Sequence, residues 1–432
     1  MAILSDIQTS VSSFFKKPGI EQTKRYNLLS SKGTNYLDNI LDYSEVKAQP
    51  VTYSFDDQHD FTTLSLTDEQ AEHLGKIVQA SGDNLELEGV FTVPPKRYHE
   101  KPIIAQNATN IANTATPGIL VDIPKYTGSV QGIDVAVLDT LIVTNAPQLS
   151  AYKTKVVKSF VGDTPCEAHG TNVAEIIAQG FDPNKTDLQF KNFAVFDCNG
   201  SAATSTIASA AHAILQYQKG EGKNRKLVVN FSGGGPQSPI LNKLFAKLAH
   251  HGIGVVVASG NSGQVCMESS PACAASNSAL QSIGALSKHG DPVGYKTGQD
   301  LATYSNYATP KAMCVDGHYQ GCYELTDPFT NKISIGCGTS FAAPVGTLRR
   351  VVYTQLYPDH TPLQVKKQMK SDTIATVGPA GTFVNGITPA MAFAWNAKKA
   401  EASGKLNANA TAATTKETKH EEHKPRPAAK MA

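Results

Sequence analysis

The chain has 432 residues, of which 41% are hydrophobic, and a formal net charge of +2. This length exceeds one ordinary domain, and the apolar fraction is sufficient for a buried core. The near-neutral charge gives no reason to expect nucleic acid or a membrane as the main partner. No apolar run reaches the length of about 18 residues that a transmembrane helix needs. The N-terminus turns polar too early for a signal peptide, which leaves the cytoplasm and a non-classical export route open.

The first part of the chain predicts a small α+β domain. Residues 1–50 show only a short helical start and receive no assignment. Residues 51–99 read as a strand, a helix and a strand, and the helix begins at a capping box formed by Thr67 and Gln70. Leucines alternate with Glu86 and Glu88 in the second strand, as in a half-exposed strand. Residues 100–125 are predicted to be a linker.

A buried parallel strand is predicted at residues 133–138, where apolar and β-branched side chains dominate. It ends at Asp139. Open α/β sheets place their functional sites at the carboxyl ends of such strands. Taken alone, an aspartate at this position is more often the start of a turn.

A helix is predicted to start near His169, because Val173, Ile176 and Ile177 follow at helical spacing. The next residue, Gly170, allows another segment of backbone to approach closely. A histidine at a helix start is often only a cap or a surface residue.

A second buried strand, residues 255–258, leads to Asn261 between glycines. An asparagine in this setting is commonly a turn residue. Its side-chain amide is also suited to donate a hydrogen bond to an oxyanion.

A run of small residues, 338–343, contains Ser340 and continues as an apolar helix pattern. This places the serine hydroxyl at a helix N-terminus, where free N–H groups and the helix dipole favour developing negative charge. Gly-Thr-Ser runs are common in loops, so this motif too has a purely structural interpretation.

Together, the four motifs follow one chain order, Asp139, His169, Asn261 and Ser340, and the triad order Asp, His, Ser is that of subtilisin. On these motifs the chain resembles the subtilase family of serine endopeptidases from about residue 126 to 395. Residues 193–201, 228–235 and 304–307 are similar to further family segments. The resemblance implies a three-layer α/β domain with a mostly parallel central sheet at residues 126–396.

The resemblance also implies roles for the four residues. Ser340 is the expected nucleophile, His169 the general base, and Asp139 the group that orients the imidazole. Asn261 is the expected oxyanion-hole donor. The chemistry needs no cofactor, and the expected partners are protein or peptide substrates, with the chain acting as a monomer.

Substrate binding is expected along residues that match the family's substrate-binding segments: Ser232, Gly233, Gly234, Ser259 and Gly260. Gly233 stands where many family members carry a larger apolar residue, so a roomier pocket is expected. Neither Ser259-Gly260 nor residues 270–272 supply a carboxylate. We therefore expect broad cleavage that favours large apolar or aromatic residues over basic ones at P1, the residue before the cleaved bond.

Placed ahead of a subtilase domain, residues 51–99 resemble the family's inhibitory propeptide. The resemblance implies a zymogen that processes itself between about residues 94 and 125, with residues 94–99 lying through the active site. An unrelated N-terminal domain is the alternative.

Three positions depart from the family pattern: Leu141 and Glu175, where the family has glycine, and Asn172, where it has a second histidine. A glutamate on a core-facing helix position is costly unless it is paired. These departures are the argument for the alternative hypothesis, a subtilase-fold peptide-binding protein that does not cut.

The seven cysteines leave their pairing open. Cys266 with Cys273 and Cys314 with Cys322 are close enough in sequence to form small loops, but spacing does not determine connectivity. Cys166 and Cys337 lie nearest the inferred chemistry, where small buried residues are a simpler interpretation than a redox role.

The sequence also bears on calcium binding and on the structure of the C-terminal end. The loop after the His169 helix offers Asp182, Asn184 and Asp187 as oxygen ligands, a weak indication of structural calcium. Residues 397–432 have almost no large apolar side chains and are expected to be disordered.

Overall fold

The computed structural model describes residues 23–34, 36, 51–93, 123, 125–286, 301–309, 311–371, 375–377 and 383–385. The predicted tail at residues 397–432 and nearly all of the predicted linker lie outside these ranges. No helix in the described ranges combines the length and apolar character needed to cross a membrane.

The N-terminal domain is an antiparallel sheet covered by one helix. Its elements are β1 (Lys24–Ser31), β2 (Val51–Ser54), β3 (His59–Leu66), α1 (Asp68–Ala80) and β4 (Asn84–Leu87), with sheet order β2-β3-β1-β4. Leu28, Leu64 and Leu74 pack between sheet and helix. The capping box is confirmed, since Thr67 Oγ1 accepts from the Gln70 N–H and the Gln70 side chain accepts from the Thr67 N–H.

Three features of this domain differ from the sequence-based expectation. Two strands, β2 and β3, precede the helix where one was expected. The domain includes β1, which lies within the unassigned residues 1–50 and pairs with both β3 and β4. The single strand expected at residues 85–93 is two strands, β4 and β5 (Val90–Thr92). The strand β5 leaves the N-terminal sheet and pairs with the larger domain.

The larger domain is built on a seven-stranded sheet in which every pairing is parallel. The order is β13-β12-β11-β10-β6-β8-β7. These strands are β6 (Ile133–Thr140), β7 (Lys153–Ser159), β8 (Gln189–Phe196), β10 (Lys226–Phe231), β11 (Gly254–Ala258), β12 (Gln281–Leu286) and β13 (Gly317–Gln320).

The helices around this sheet are α2 (His169–Gln179), α3 (Thr204–Lys219), α4 (Pro239–His250), α5 (Thr339–Leu356) and α6 (Pro362–Ser371). The remaining strands are β9 (Ser201–Ala203), the hairpin β14 (Cys322–Thr326) with β15 (Ile333–Cys337), and β16 (Ala375–Val377) with β17 (Phe383–Asn385). Short 3-10 turns occur at Pro183–Lys185, Cys266–Glu268 and Ala272–Asn277.

Successive residues of β6 divide the core into two halves. Val135 and Val137 pack in the same cluster as residues of α2 and α5, whereas Ala136 and Leu138 pack with residues of α3 and α4. Side chains alternate across a strand, so a sheet covered on both faces needs apolar residues at every position. The three-layer α/β fold predicted from the sequence is confirmed.

Six of the seven cysteines form disulfides: Cys166–Cys198, Cys266–Cys314 and Cys322–Cys337. Cys273 is free and buried. Neither of the two short loops considered from the sequence forms, because Cys266 is bonded to Cys314 and Cys322 to Cys337, which leaves Cys273 without a disulfide.

Candidate active site

Asp139 and His169 form a buried pair. Asp139 lies in β6, one residue before its end, with none of its surface exposed, and His169 is the first residue of α2. Asp139 Oδ1 is 2.8 Å from His169 Nδ1 and accepts from the Thr140 N–H at 2.7 Å. The carboxylate therefore fixes the proton on Nδ1 and leaves Nε2 as the basic nitrogen.

Gly170 makes this pairing sterically possible, as the sequence indicated. A Cβ atom at Gly170 would lie 2.6 Å from the carbonyl oxygen of Thr140 and 3.2 Å from the Cβ of Asp139. The Gly170 N–H instead donates to Thr140 Oγ1 at 2.8 Å. A side chain here would push the start of α2 away from the end of β6.

Ser340 is the second residue of α5 and is held by an unusual helix start. Pro344 has no N–H, so the Ser340 carbonyl lacks its normal partner four residues later. That carbonyl accepts instead from Ser232 Oγ at 2.8 Å. The hydroxyl of Ser232 also accepts from the Asn230 amide at 2.9 Å, and the Asn230 Oδ1 accepts from Thr347 at 2.8 Å.

The side-chain atoms of His169 and Ser340 that are expected to react form no hydrogen bonds in the part of the chain that the structure describes. Within the described residues, neither His169 Nε2 nor Ser340 Oγ has a hydrogen-bond partner, although both atoms are buried. The ring of Phe341 lies against the imidazole, with centroids 5.3 Å apart. These two polar atoms are thus available to each other and to a bound molecule.

Asn261 follows β11, and its amide orientation is fixed by Thr339. Its Oδ1 accepts from the Thr339 N–H at 2.8 Å and from Thr339 Oγ1 at 2.9 Å. The Nδ2 group must therefore point away from Thr339. The amide is left free to donate beside the N-terminus of α5.

Asn306 organises this loop, a role that the sequence did not reveal. Its Oδ1 accepts from the N–H groups of Ser262 and Gln264, and its Nδ2 donates to the Ser259 carbonyl at 2.9 Å. Gly260 has φ +104°, and a Cβ there would lie 2.3 Å from Asn306 Nδ2. The signal in the sequence was the segment 304–307, noted for its similarity but given no function.

A cavity of about 680 Å³ opens beside these groups. Asn261 and Thr339 line one side, and Gly233, Gly234 and Gly260 contribute to its walls. Of the other predicted substrate-binding residues, Ser232 and Ser259 are buried, with their hydroxyls bonded to Ser340 and Asn306. Those two serines hold neighbouring backbone in place and are not among the described residues that line the cavity.

The expected extra room at Gly233 does not exist. A Cβ at this position would lie 2.4 Å from the ring of Phe196 and 3.1 Å from the ring of Phe231. Phe196 comes from the end of β8, far away in sequence, and fills the space that a larger side chain would occupy. The prediction of a roomier pocket was wrong for this reason.

The end of the N-terminal domain lies along the same groove. Strand β5 pairs antiparallel with β9, and Thr92 exchanges two backbone hydrogen bonds with Gly234, at 3.1 and 3.2 Å. Phe91 is fully buried, and a Cβ on Gly235 would lie 2.6 Å from its ring. The residues predicted to cross the active site, 94–99, lie outside the described residues.

Glu86 and Glu88, at the C-terminal end of the N-terminal domain, cap helices of the larger domain. Glu86 accepts from Ser238 Oγ at 2.5 Å and from the Ile240 N–H at 3.1 Å, at the start of α4. Glu88 accepts from both the hydroxyl and the N–H of Ser205, at the start of α3. Carboxylates at helix N-termini are favourable. The side of the N-terminal domain that carries Glu86 and Glu88 is therefore in contact with the larger domain.

Comparison with known proteins identifies the family. A family model described as the subtilase family matches residues 130–410. The chain belongs to the subtilase family. It is 26% identical to proteinase T of Parengyodontium album over 212 residues. This aligned region covers 48% of this chain and 66% of that protein.

This subtilase is also similar to a second protease and to a solved structure. It is 25% identical over 257 residues to the cuticle-degrading protease of Metarhizium anisopliae, covering 58% of this chain and 62% of that protein. The chain therefore spans less than two thirds of either relative. A solved structure titled as a cold adapted subtilisin-like serine proteinase is similar, with a TM-score of 0.48 and 22% identity, covering 61% of this chain and 89% of that chain.

All three residues that depart from the subtilase pattern are buried. Leu141 follows β6, whereas Asn172 and Glu175 lie in α2. Glu175 is only 3% exposed, and burial raises the pKa of its carboxyl group to about 7. The substitution is thus accommodated as a carboxyl group that ionises near neutral pH.

We expect Glu175→Gln to stabilise the subtilase at alkaline pH. The pKa of Glu175 is higher in the folded state than in the unfolded state. The neutral carboxyl group therefore contributes fully to stability below about pH 4.5, and this contribution is lost as the pH rises through 7. A pKa shift of this size corresponds to a loss of at most about 3 kcal/mol in the free energy of unfolding, and residual hydration of the carboxylate makes that loss smaller. Thermal midpoints of the two proteins should coincide at pH 4 and differ by several degrees at pH 8.5.

This comparison is best made with Ser340→Ala in both proteins, so that self-digestion does not affect the midpoints. Glu69→Gln, on the exposed side of α1, is the matched control and should shift no midpoint. Equal thermal midpoints at pH 8.5 for the proteins with and without Glu175→Gln would show that the Glu175 carboxyl group is hydrated or paired.

The calcium ligands considered from the sequence have other partners. Asp187 accepts from Arg225 at 2.9 Å and from the Gly132 N–H at 2.7 Å. Asp182 accepts from the Asn184 N–H at 3.0 Å and caps a 3-10 turn. The described ranges hold no group of three or more acidic, histidine or cysteine side chains arranged for a metal. These residues do not fit a calcium site.

Proposed function

We propose that the chain is a serine endopeptidase made as an autoprocessed zymogen. The observation that carries this proposal is the buried Asp139–His169 pair, at 2.8 Å, beside a groove lined by Asn261 and Thr339. Membership of the subtilase family supports the same reaction. The substrates are proteins or peptides bound in extended form, without nucleic acid or a required cofactor.

The residues have distinct roles in the proposed reaction. Ser340 Oγ attacks the carbonyl carbon of the scissile bond while His169 Nε2 takes the hydroxyl proton. The imidazolium is stabilised by the Asp139 carboxylate on the opposite nitrogen. His169 then gives the proton to the leaving amine, which produces an acyl-enzyme on Ser340. Water, deprotonated by His169, hydrolyses this ester and restores the serine.

The negative charge of the tetrahedral intermediate falls at the N-terminus of α5. The backbone N–H of Ser340 is one of the helix N–H groups without an intrahelical partner. The Asn261 Nδ2, directed away from Thr339, is the second donor. Both donors are fixed before substrate binds, which is the condition for strong electrostatic stabilisation.

The bound position of β5 supports the zymogen part of the proposal. An extended strand that adds to β9 and Gly234 occupies the backbone positions that a substrate would use. Docking is strengthened by the Glu86 and Glu88 caps and by the Lys247–Asp56 ion pair at 2.7 Å. The N-terminal domain thus acts as an inhibitor in cis.

Three disulfides favour an oxidising compartment as the place of action. Disulfides persist outside reducing cytosol. Two of them include a cysteine three residues before a catalytic group: Cys166 before His169 and Cys337 before Ser340. We infer a structural role in fixing the segments that precede both catalytic groups.

Self-processing tests the proposal directly. Wild-type protein should acquire a new N-terminus between about residues 94 and 125, whereas Ser340→Ala should keep its full mass. Intact-mass measurement and N-terminal sequencing give both results. A purified wild-type protein that retains the N-terminal domain and cleaves no unfolded protein would favour the peptide-binding alternative. Identical processing of Ser340→Ala would show that another protease acts.

A further inference from the structure

The residues that line the substrate cavity include one acidic residue. Glu268 lines this cavity and is the sole ionisable side chain among the described residues that do so. Within the described ranges, its carboxylate is in no salt bridge, and its side chain is solvent-exposed. The sequence-based argument against basic substrates considered the neighbouring segments and missed this residue.

The segment that carries Glu268 is firmly held. It belongs to the turn Cys266–Glu268, which the Cys266–Cys314 disulfide anchors. The Gln237 side chain donates to the Met267 carbonyl at 3.2 Å, and Gly235 and Ser270 exchange two backbone hydrogen bonds. The backbone that carries the Glu268 side chain is therefore held in a defined position beside the cavity.

The next residue, Ser269, locates this segment relative to the cavity walls. Its Oγ would lie 3.5 Å from a Cβ on Gly234 and 3.0 Å from a Cβ on Gly260. Ser269 is therefore placed close to both Gly234 and Gly260, and all three residues line the cavity. Because Asn261 and Thr339 also line this cavity, the side chain that enters it belongs to the residue whose carbonyl faces Ser340, which is P1.

We propose that Glu268 selects substrates with a lysine or arginine side chain at P1. This inference rests on the proposed peptidase function and names its substrate class. The glycine walls accept a long unbranched stem, and a cationic end group meets the carboxylate away from competing protein cations. Its attraction for a cation is electrostatic, and among the described residues no positively charged side chain lines the cavity to compete for it. This replaces the expectation that apolar P1 residues are preferred over basic ones.

The sharpest test is competition between two peptides that differ only in the charged group. The purified full chain, after any processing of its own, is given equal amounts of two fluorogenic peptides with lysine or norleucine at P1. In a single mixture the ratio of initial rates equals the ratio of kcat/KM. It is independent of the fraction of active protein and of any inhibitor bound in the groove.

Wild-type protein should prefer lysine by about fivefold or more, and Glu268→Gln should reduce this ratio by a similar factor. Cleavage of the norleucine peptide, which carries no charge for the carboxylate to bind, should stay within about twofold of wild type. Glu221→Gln, a carboxylate paired with Lys155 at 2.9 Å on another surface, is the matched control and should leave the ratio unchanged.

The outcomes separate the two proposals. Equal cleavage of both peptides by the wild type, or a lysine preference that survives Glu268→Gln, would overturn the role of Glu268 and leave the peptidase proposal standing. Failure to cleave either peptide, and failure to cleave an unfolded protein, would overturn both.

Discussion

Replacing Ser340 by alanine is expected to reduce peptide hydrolysis by about four to six orders of magnitude, a magnitude known from subtilisin itself. The reason is that the acyl-enzyme cannot form without the hydroxyl. His169→Ala should cost nearly as much, because the hydroxyl is then not deprotonated. Initial rates on an unfolded protein and on a short fluorogenic peptide measure both effects.

The double variant gives the control for this interpretation. If Ser340 and His169 act as one unit, removing both should cost about as much as removing either. Circular dichroism spectra of all three variants should match that of wild type. The thermal midpoint should be unchanged only for Ser340→Ala, since Ser340 Oγ has no partner within the described residues. Variants without His169 should melt at a lower temperature, because the buried Asp139 then loses the Nδ1 group at 2.8 Å. Multiplicative losses in the double variant would contradict a shared mechanism.

Asn261→Ala is expected to lower kcat by about 100- to 1000-fold with little change in KM, again a magnitude established on subtilisin. The amide contributes only when negative charge develops on the carbonyl oxygen, so substrate binding should be nearly unaffected. The KM and kcat of a peptide substrate separate the two effects.

Asn261 also accepts two hydrogen bonds from Thr339, so a structural effect of its loss must be separated from a catalytic one. Asn261→Asp keeps an acceptor for Thr339 and removes the amide donor. This variant should lose at least as much kcat as the alanine variant, since it also places negative charge near the oxyanion. Full activity of Asn261→Asp would show that the amide does not face the oxyanion. Asn184→Ala, in an exposed turn, should be neutral.

Much of this arrangement could be predicted from the sequence because the signals were local. Runs of apolar residues marked β6 and β11, and helical spacing marked α2. Each candidate group stands where one of these elements begins or ends, so finding the elements placed the groups at the same edge of the sheet. The capping box at Thr67 was predictable for the same reason, since both partners lie within one helical turn.

The parts that were missed depend on contacts between distant segments. Strand β1 has a polar first half, and only its pairing with β3 and β4 makes it a strand. Glu86 and Glu88 read as exposed because the helix N-termini they cap come more than 100 residues later.

The cavity was misjudged in the same way. No local pattern shows that Phe196 occupies the space beside Gly233, or that the turn at Glu268 reaches the cavity wall. Side chains of different segments decide the size and charge of such a pocket. Its specificity could therefore not be predicted from the residues that line the substrate backbone alone.

The most direct test of the central claim is covalent labelling of the nucleophile. The purified protein is treated with a fluorophosphonate, digested, and mapped by mass spectrometry. The account predicts one modified serine, Ser340, with labelling strongly reduced in His169→Ala because the hydroxyl is no longer activated. Labelling of another serine, or no labelling of protein whose N-terminal domain has been removed, would contradict it.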